Sequence, residues 1–170
     1  QLTWDVSASF LATIAGGAFA AGASADVTIG KRGFPLAARI GVAGTDNRDL
    51  ALAGGRASWA RAALMFGPVF DVFSKRGVRL DVHADVAAGW MFVQGRGYNA
   101  NYSDNAFDPA LGGGARLAVT KWTIEPWLDC TLLGWLRHQT LSVPGPTSTA
   151  SAEIPRFDVW LRAGVAYGRR

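Results

Sequence analysis

The side chains with the clearest potential for chemistry form an alternating run, Asp81, His83 and Asp85. In an extended strand, residues two apart project from the same face at a spacing of roughly 7 Å, so these three line one surface. A histidine beside a carboxylate can act as a general base or a proton relay. Because the sequence places no serine or cysteine nucleophile beside them, we interpret the three as part of a polar network.

Other reactive residue types are sparse. The single cysteine, Cys130, alternates with Leu128 and Leu132, which predicts a small hydrophobic side chain rather than a nucleophile. One cysteine and two distant histidines do not form a zinc ligand set, and we predict no metal or other cofactor. The glycine-containing run 95–104 is not followed by a helical pattern or closed by Lys-Ser or Lys-Thr, so it is not a phosphate-binding loop.

The segment that carries His83 has a strict period of two. Apolar residues occupy alternate positions from Val78 to Phe92, and Arg79 shares the opposite face with the Asp81–Asp85 run. At about 15 residues, this strand is longer than the usual five or six. The same alternation recurs in seven other segments, which together predict eight strands: Trp4–Ile14, Ala25–Ile29, Leu36–Val42, Ala60–Phe66, Leu111–Val119, Trp122–Leu132 and Phe157–Tyr167.

The connections between these strands alternate in length. Tight turns hold all three lysines, Lys31, Lys75 and Lys121. Longer polar loops are expected at about 45–56, 94–109 and 138–153, while the connection near 15–21 is short. Long loops at one end and short turns at the other are typical of outer-membrane barrels. With eight strands, both termini lie at the short-turn end.

The distribution of charge decides between a soluble and a membrane barrel. Charged residues make up only 18% of the chain, and the polar strand faces carry Asp and Arg but no Lys. Arg and Asp can pair by bidentate hydrogen bonds in a confined space, whereas water-exposed surfaces use Lys and Glu. We therefore predict an all-β fold, an eight-stranded antiparallel up-and-down transmembrane β-barrel with short periplasmic turns and longer extracellular loops. It spans 1–170 as a single domain.

Two further patterns support the membrane interpretation. The Ala- and Gly-rich segment 10–25 looks like a signal-peptide core, but Asp5 precedes it without Lys or Arg, so we interpret it as mature strand. Aromatic residues fall into two groups flanking an aliphatic band, as expected at the two membrane interfaces. The groups are Trp4, Phe34, Phe70, Phe73, Trp122 and Tyr167 at the short-turn end, and Trp90, Phe92 and Phe157 at the loop end.

The polar faces then predict the contents of the lumen. Besides His83, seven acids and six bases are expected to point inward: Asp5, Asp26, Arg39, Arg61, Arg79, Asp81, Asp85, Arg116, Glu125, Asp129, Arg156, Asp158 and Arg162. An eight-stranded barrel is just wide enough for its own side chains to fill it. Nearly balanced charges in so narrow a space predict a paired, closed lumen.

A closed lumen and loops poor in catalytic groups favour a non-enzymatic protein. It would act as a structural or interaction protein through its loops, or as the membrane component of a larger assembly. The loop and rim residues expected to make contacts are Arg48, Arg96, Tyr98, Tyr102, Trp135 and Arg137. Two alternatives remain open, a narrow small-solute channel and a lipid-modifying enzyme with a rim site near His138. The arginines are scattered singly rather than in a basic stripe, which argues against nucleic-acid binding despite a pI near 9.7.

The architecture resembles the small outer-membrane proteins of the OmpA/OmpX type. Several local runs also look like barrels of myxobacterial-type Gram-negative bacteria: Phe107-Asp108-Pro109, 111–116, Pro126-Trp127, 134–137 and Ile154-Pro155-Arg156. The resemblance implies a Gram-negative outer membrane with periplasmic termini, contact with its lipid and lipopolysaccharide, and insertion by the barrel-assembly machinery. It also fits a protein partner in an envelope complex, and it implies no activity. Such barrels usually end in an aromatic residue, but this chain ends Tyr167-Gly168-Arg169-Arg170, so we expect either that the assembly signal is displaced from the terminus or that the natural C-terminus differs from this one.

Overall fold

The computed structural model describes residues 1–52, 55–96, 102–144 and 149–169, and the regular structure in these ranges is β-strand. Within them, no helix is long and apolar enough to cross a membrane. The strands, in chain order, are β1 Leu2–Ala15, β2 Ala18–Lys31, β3 Leu36–Thr45, β4 Arg48–Leu52, β5 Gly55–Lys75, β6 Val78–Arg96, β7 Tyr102–Val119, β8 Ile124–Trp135, β9 Thr140–Pro144, β10 Thr149–Glu153 and β11 Phe157–Arg169.

Eight of these strands close into a barrel. The hydrogen-bonded order is β1-β2-β3-β5-β6-β7-β8-β11, with each neighbouring pair antiparallel, and β11 pairs back with β1 from Trp4↔Arg169 to Ile14↔Val159. Closure leaves none of the eight as an edge strand over the length of the barrel wall. The predicted eight-stranded antiparallel barrel is therefore confirmed.

The two ends of the barrel differ. The terminal end carries both termini and the connections after β2, β5 and β7, and the loop end carries the other connections. At the loop end, β1 and β2 are joined by Gly16-Gly17 with φ values of +55° and +83°. At the terminal end, Arg76-Gly77, with φ values of +56° and +78°, joins β5 and β6. Positive φ at both central residues gives a two-residue hairpin that matches the twist of the strands, which favours glycine there.

The segments expected to be long loops contain additional strand. β4 pairs with the start of β5, and β6 and β7 continue as a hairpin to Gly95↔Tyr102. β9 and β10 form a separate two-stranded sheet from Thr140↔Glu153 to Pro144↔Thr149. These strands escaped sequence analysis because, away from the apolar band, neither face needs to be apolar. The backbone ladder then continues without hydrophobic alternation.

The two faces of the barrel wall have opposite polarity. Large apolar side chains cover the outside, and the aromatic residues expected at the two interfaces are exposed. Edge-to-face pairs form at both levels, Trp4 with Tyr167 at a ring-centroid distance of 6.2 Å and Trp90 with Phe107 at 5.7 Å. Cys130 is also exposed on this outer face. Polar and charged side chains are buried inside, so the barrel is apolar outward, as a membrane-spanning barrel requires.

Candidate functional site

The predicted histidine lies at the centre of a buried group that we call the His83 cluster: His83, Asp85, Asp129, Arg39 and Arg162. Nδ1 of His83 lies 2.7 Å from Oδ2 of Asp85, and Nε2 lies 3.0 Å from Oδ2 of Asp129. Arg39 donates to Asp85 at 2.6 Å, and Arg162 donates to Asp129 at 2.7 Å. Both ring nitrogens therefore face carboxylate oxygens, and each carboxylate also accepts from an arginine.

Further ion pairs extend this cluster toward the terminal end. Arg116 donates to Asp26 at 3.0 Å, and its guanidinium lies 4.0 Å from the centroid of the Trp127 ring. Arg79 donates to Asp81 at 2.9 Å and to Glu125 at 3.4 Å. Arginine suits such crowded sites because its planar guanidinium can donate to a carboxylate and stack on an aromatic ring at once.

A second group, the Asp158 cluster, lies nearer the loop end and consists of Asp158, Arg48, Arg61, Asp108 and Thr13. Arg61 donates to Asp158 at 2.8 Å and to Asp108 at 3.4 Å. Arg48 donates to Asp158 at 3.3 Å and also to the hydroxyl of Thr13. The side chains of Asp158 and Arg48 are 0% exposed. The cluster is thus a sealed set of opposite charges.

Tryptophans surround the Asp158 cluster. Nε1 of Trp135 donates to Oδ2 of Asp158 at 2.8 Å. The guanidinium of Arg61 lies 4.3 Å from the Trp135 ring centroid, and that of Arg48 lies 4.3 Å from the Trp59 ring centroid. Desolvated cation–π contacts of this kind contribute about 2 kcal/mol each. The indoles therefore stabilise the two arginines as well as filling the space around them.

An apolar layer separates the two clusters. On β11, Trp160 lies between Arg162 of one cluster and Asp158 of the other, and on β1, Leu11 lies two residues before Thr13. The whole layer is buried and consists of Leu11, Ala43, Ala63, Met65, Ala87, Ala110, Leu133, Trp135 and Trp160. Nearer the loop end, a second buried apolar group contains Ala15, Trp59, Met91 and Ile154. The lumen is therefore filled by alternating charged and apolar levels.

Small residues in the wall make room for these large side chains. A Cβ atom built on Gly89 would collide with the Trp135 ring, and one on Gly114 would lie 2.9 Å from Cε1 of His83. Glycine at these two positions lets the indole and the imidazole pack against the backbone of the wall.

A cavity of about 210 Å³ opens at the terminal end. The residues that line it include Arg39, His83 and Arg116, together with the charged side chains of Asp5 and Arg79. Its lining includes no residue of the apolar layer or of the Asp158 cluster. The cavity therefore lies on the terminal-end side of the apolar layer.

The two histidines lie in different surroundings. The His83 side chain is 1% exposed, and its two nitrogens contact Asp85 and Asp129. His138 is exposed at the loop end, and no hydrogen bond joins it to Ser142 in the described part of the chain. No group of three potential metal ligands occurs among the described residues.

Most of the residues expected in the lumen are buried or half-buried: Asp5, Asp26, Arg39, Arg61, Arg79, Asp81, His83, Asp85, Arg116, Glu125, Asp129, Asp158 and Arg162. The prediction was wrong for Arg156, which is exposed. Arg156 precedes the first residue of β11, so the alternation of that strand does not extend to it.

Two of the expected contact residues at the loop end lie inside instead. Arg48 and Trp135 are each 1% exposed, so the prediction was wrong for both. The strand is interrupted at 46–47, between β3 and β4. This interruption shifts the alternation of inward and outward side chains by one residue, so Arg48 points inward. Trp135 follows the inward positions of β8, which begin at Trp127.

The other contact candidates have different outcomes. Arg137 is exposed, with its guanidinium 5.7 Å from the Phe107 ring centroid. Arg96 and Tyr102 lie in β6 and β7, but their side chains, like all of Tyr98, lie outside the described residues.

Sequence reasoning also missed inward residues of the two clusters. Asp108 is 0% exposed, although its segment was expected to be loop. A signal for it existed, because Asp108 has the same parity as the inward Arg116 on β7. Likewise, four of the seven tryptophans are buried in the lumen, a role that composition does not reveal.

Comparisons with known proteins agree on the fold. No protein-family model and no curated protein matches the sequence. Among solved structures, a major outer membrane protein from Thermus thermophilus is similar, with a TM-score of 0.74, 16% identity and 99% of each chain covered. Neisserial surface protein A is also similar, with a TM-score of 0.62 and 10% identity, and the match covers 98% of this chain and 96% of that protein's chain.

The attachment invasion locus protein Ail of Yersinia pestis gives a TM-score of 0.57 with 12% identity, covering 98% of this chain and 97% of its own. At these identities the likeness concerns the fold, and the resemblance to myxobacterial-type barrels stays a prediction. The chain has the fold of the small eight-stranded β-barrels of the outer membrane.

Proposed function

We propose that this protein is a non-enzymatic outer-membrane barrel with a closed lumen, which acts through protein contacts at its loop end. The periplasmic position of both termini is part of this proposal. The observation that carries it is the apolar layer between the His83 and Asp158 clusters, with Trp135 and Trp160 each 1% exposed.

Conduction through this lumen would require ions to pass the apolar layer. The layer offers no charged partner to a dehydrated ion, and a water column would have to displace two indole rings. On each side of the layer, the charged side chains form ion pairs within their own cluster, as in the 2.8 Å contact between Arg61 and Asp158. The filled lumen therefore favours a structural or interaction role over a channel.

The membrane location is supported by the outer surface and by the fold. Exposed apolar side chains encircle the barrel, among them Leu64 and Leu128 on different parts of the ring. The similar solved structures are an outer-membrane protein and a bacterial surface protein. The terminal end carries the shorter connections, which in bacterial barrels face the periplasm.

The contact surface that we favour is a sheet that projects at the loop end. β7 pairs with β8 only from Ala110↔Trp135 to Ala118↔Trp127, but it stays paired with β6 as far as Tyr102. Leu136 N–H still donates to the Pro109 carbonyl at 2.8 Å, and the β7 segment before Pro109 is a sheet edge on the side away from β6. Unpaired backbone donors and acceptors along such an edge can bind an extended protein segment by β-augmentation.

The charges of the loop end also favour a protein partner over a polysulfated one. A solved structure of Ail holds the heparin analogue sucrose octasulfate. In this chain, the exposed charged side chains described at the loop end are nearly balanced: acids Asp46, Asp49, Asp104 and Glu153, and bases Arg56, Arg137 and Arg156. Near balance does not favour a highly anionic ligand.

Planar-bilayer recording tests the closed lumen. We expect no discrete conductance from the wild-type barrel at moderate voltage, and openings from a Trp135→Ala/Trp160→Ala variant, which removes the two largest side chains of the apolar layer. Steady openings of the wild-type protein would contradict the closed lumen.

Site-specific photo-crosslinking in the native membrane tests the loop-end contact. Asn105, exposed on the projecting edge of β7, is replaced by a photoreactive amino acid, and exposed Thr123 at the terminal end serves as the matched position. A discrete cross-linked protein from position 105 but not from 123 is expected. No adduct at 105, or the same adduct at both positions, would refute a loop-end partner.

A further inference from the structure

The exposed charges divide sharply between the two ends of the molecule. Among the residues whose side chains are described, the terminal end exposes five bases: Lys31, Arg32, Lys75, Arg76 and Lys121. The acids near this end do not offset them on the surface. Asp5 and Asp81 are buried, Glu125 is half-buried beside Arg79, and Asp71 lines the cavity of the lumen. The exposed acids of the described chain lie at the loop end.

The arrangement of these bases follows from the barrel topology. They lie at the ends of β2 and β5 or in the connections after β2, β5 and β7, which occur at intervals of two strands around the ring. Lys31, Lys75 and Lys121 form no ion pair with any described residue. The three lysines therefore place available positive charge at three of the four strand junctions of a ring around the rim, rather than in a patch on one side.

A shallow, open apolar groove lies on the outer wall directly beside this ring. Ala38 forms its floor, because it is smaller than its register partners Ile29 on β2 and Pro68 on β5, which also line the groove. Leu2 and Leu36 also line it, and Lys31 lies at its edge. Because Lys31 is two residues beyond Ile29 on the same strand, its ammonium group is placed where the groove reaches the membrane interface.

We propose that the terminal end binds phospholipids with anionic headgroups, with an acyl chain in the Ala38 groove and the headgroup phosphate at Lys31, while the rest of the ring attracts the same lipids around the rim. The inference rests on the membrane location proposed above. Exposed Phe34 and Trp122 beside the basic turns fit this depth, because aromatic rings favour the level of the headgroups.

Native mass spectrometry of the refolded full chain tests this, with micelles containing equal amounts of phosphatidylglycerol and phosphatidylcholine of identical acyl chains. The wild-type protein is expected to retain phosphatidylglycerol preferentially. Each lysine near an anionic surface contributes about a fivefold preference, so Lys31→Gln should lower the ratio about fivefold and the Lys31→Gln/Lys75→Gln/Lys121→Gln variant about a hundredfold. Arg156→Gln, which removes an exposed base at the loop end, should leave the ratio unchanged.

A separate variant tests the groove. Ala38→Leu fills its floor on the lipid-facing surface, where a larger apolar side chain does not disturb the lumen. It should reduce retention of both lipids and leave their ratio as in the wild type. An unchanged number of retained lipids would contradict the groove as the acyl site.

Two outcomes would overturn the inference as a whole. One is equal retention of the two lipids by the wild-type barrel, and the other is an equal loss of preference in Lys31→Gln and Arg156→Gln. The mobility difference between unheated and boiled protein on a detergent gel separates these results from failure of the proposed function. A folded barrel without lipid preference overturns this inference alone, whereas a chain that never shows the folded mobility contradicts the membrane barrel and with it both proposals.

Discussion

Replacing Asp158 with Asn removes the charge that holds the Asp158 cluster together while preserving the shape of the side chain. Asp158 accepts from Arg61 at 2.8 Å, Arg48 at 3.3 Å and Trp135 at 2.8 Å, and its side chain is 0% exposed. In the variant, Arg61 keeps only its contact with Asp108, and Arg48 loses the carboxylate to which it donates. The amide can still accept from Trp135, so the main loss is electrostatic.

The expected cost follows from burial. Removing one partner of a buried, hydrogen-bonded ion pair costs about 3–5 kcal/mol, because the remaining charge stays buried without compensation. We expect Asp158→Asn to lower the free energy of unfolding by this amount. Arg48→Met in the same chain should restore part of the loss, since it removes the charge that the first substitution leaves unpaired.

Urea unfolding in lipid vesicles provides the assay. Tryptophan fluorescence reports on Trp59 and Trp135 beside the cluster, and gel mobility without heating reports the folded fraction. Asp49→Asn is the matched control, because Asp49 faces Arg56 at 3.9 Å with both side chains more than half exposed. Exposed pairs contribute about 0–1 kcal/mol, so this variant should unfold nearly as the wild type does.

Two results would contradict a sealed and coupled Asp158 cluster. If Asp158→Asn cost no more than Asp49→Asn, water would be screening the cluster and the lumen would not be sealed. If Arg48→Met failed to recover any stability in the Asp158→Asn background, the two residues would not be coupled as the structure places them.

Three other predictions address the wall, the membrane face and the rim. Gly89→Ala should lower the free energy of unfolding by about 1–3 kcal/mol, because the added Cβ would collide with the Trp135 ring. The control is Gly44→Ala, which has open space around it and should be nearly neutral, and urea unfolding compares the two variants. Leu128→Arg places a charge on the lipid face of β8 and should cost about 2–4 kcal/mol near the bilayer midplane; a cost near zero would contradict the outward membrane surface. His138→Ala should leave the phospholipid and lipid A profiles of cells unchanged, and an altered profile by mass spectrometry would revive the enzymatic alternative.

Local alternation was enough to predict the eight strands and the direction of most of their side chains. Asp81, His83 and Asp85 lie inside because residues two apart in a strand share a face, whatever the rest of the chain does. The same rule assigns Arg116 and Asp129 correctly. It fails where the strand is interrupted, as at 46–47 before Arg48, and where a residue precedes its strand, as with Arg156.

Trp135 and Asp108 show a different kind of error. Both follow the parity of inward positions on their strands, but Asp108 fell in a segment expected to be loop and Trp135 was expected at the exposed rim. The strand in fact continues, and parity is the more reliable guide.

The arrangement inside the barrel depends on closure. Asp129 meets His83 from a strand two positions away in the ring, and Asp158 meets Arg48 across 110 residues of sequence, which no local pattern specifies. Strand geometry sends successive side chains to opposite faces. The alternation of apolar and polar residues can therefore be read from the amino-acid order alone. The stacking of two charged clusters around an apolar layer arises from the register of the pairs that close the ring. Those pairings set which inward residues share a level, and each is made between strands, so no single segment of sequence specifies it.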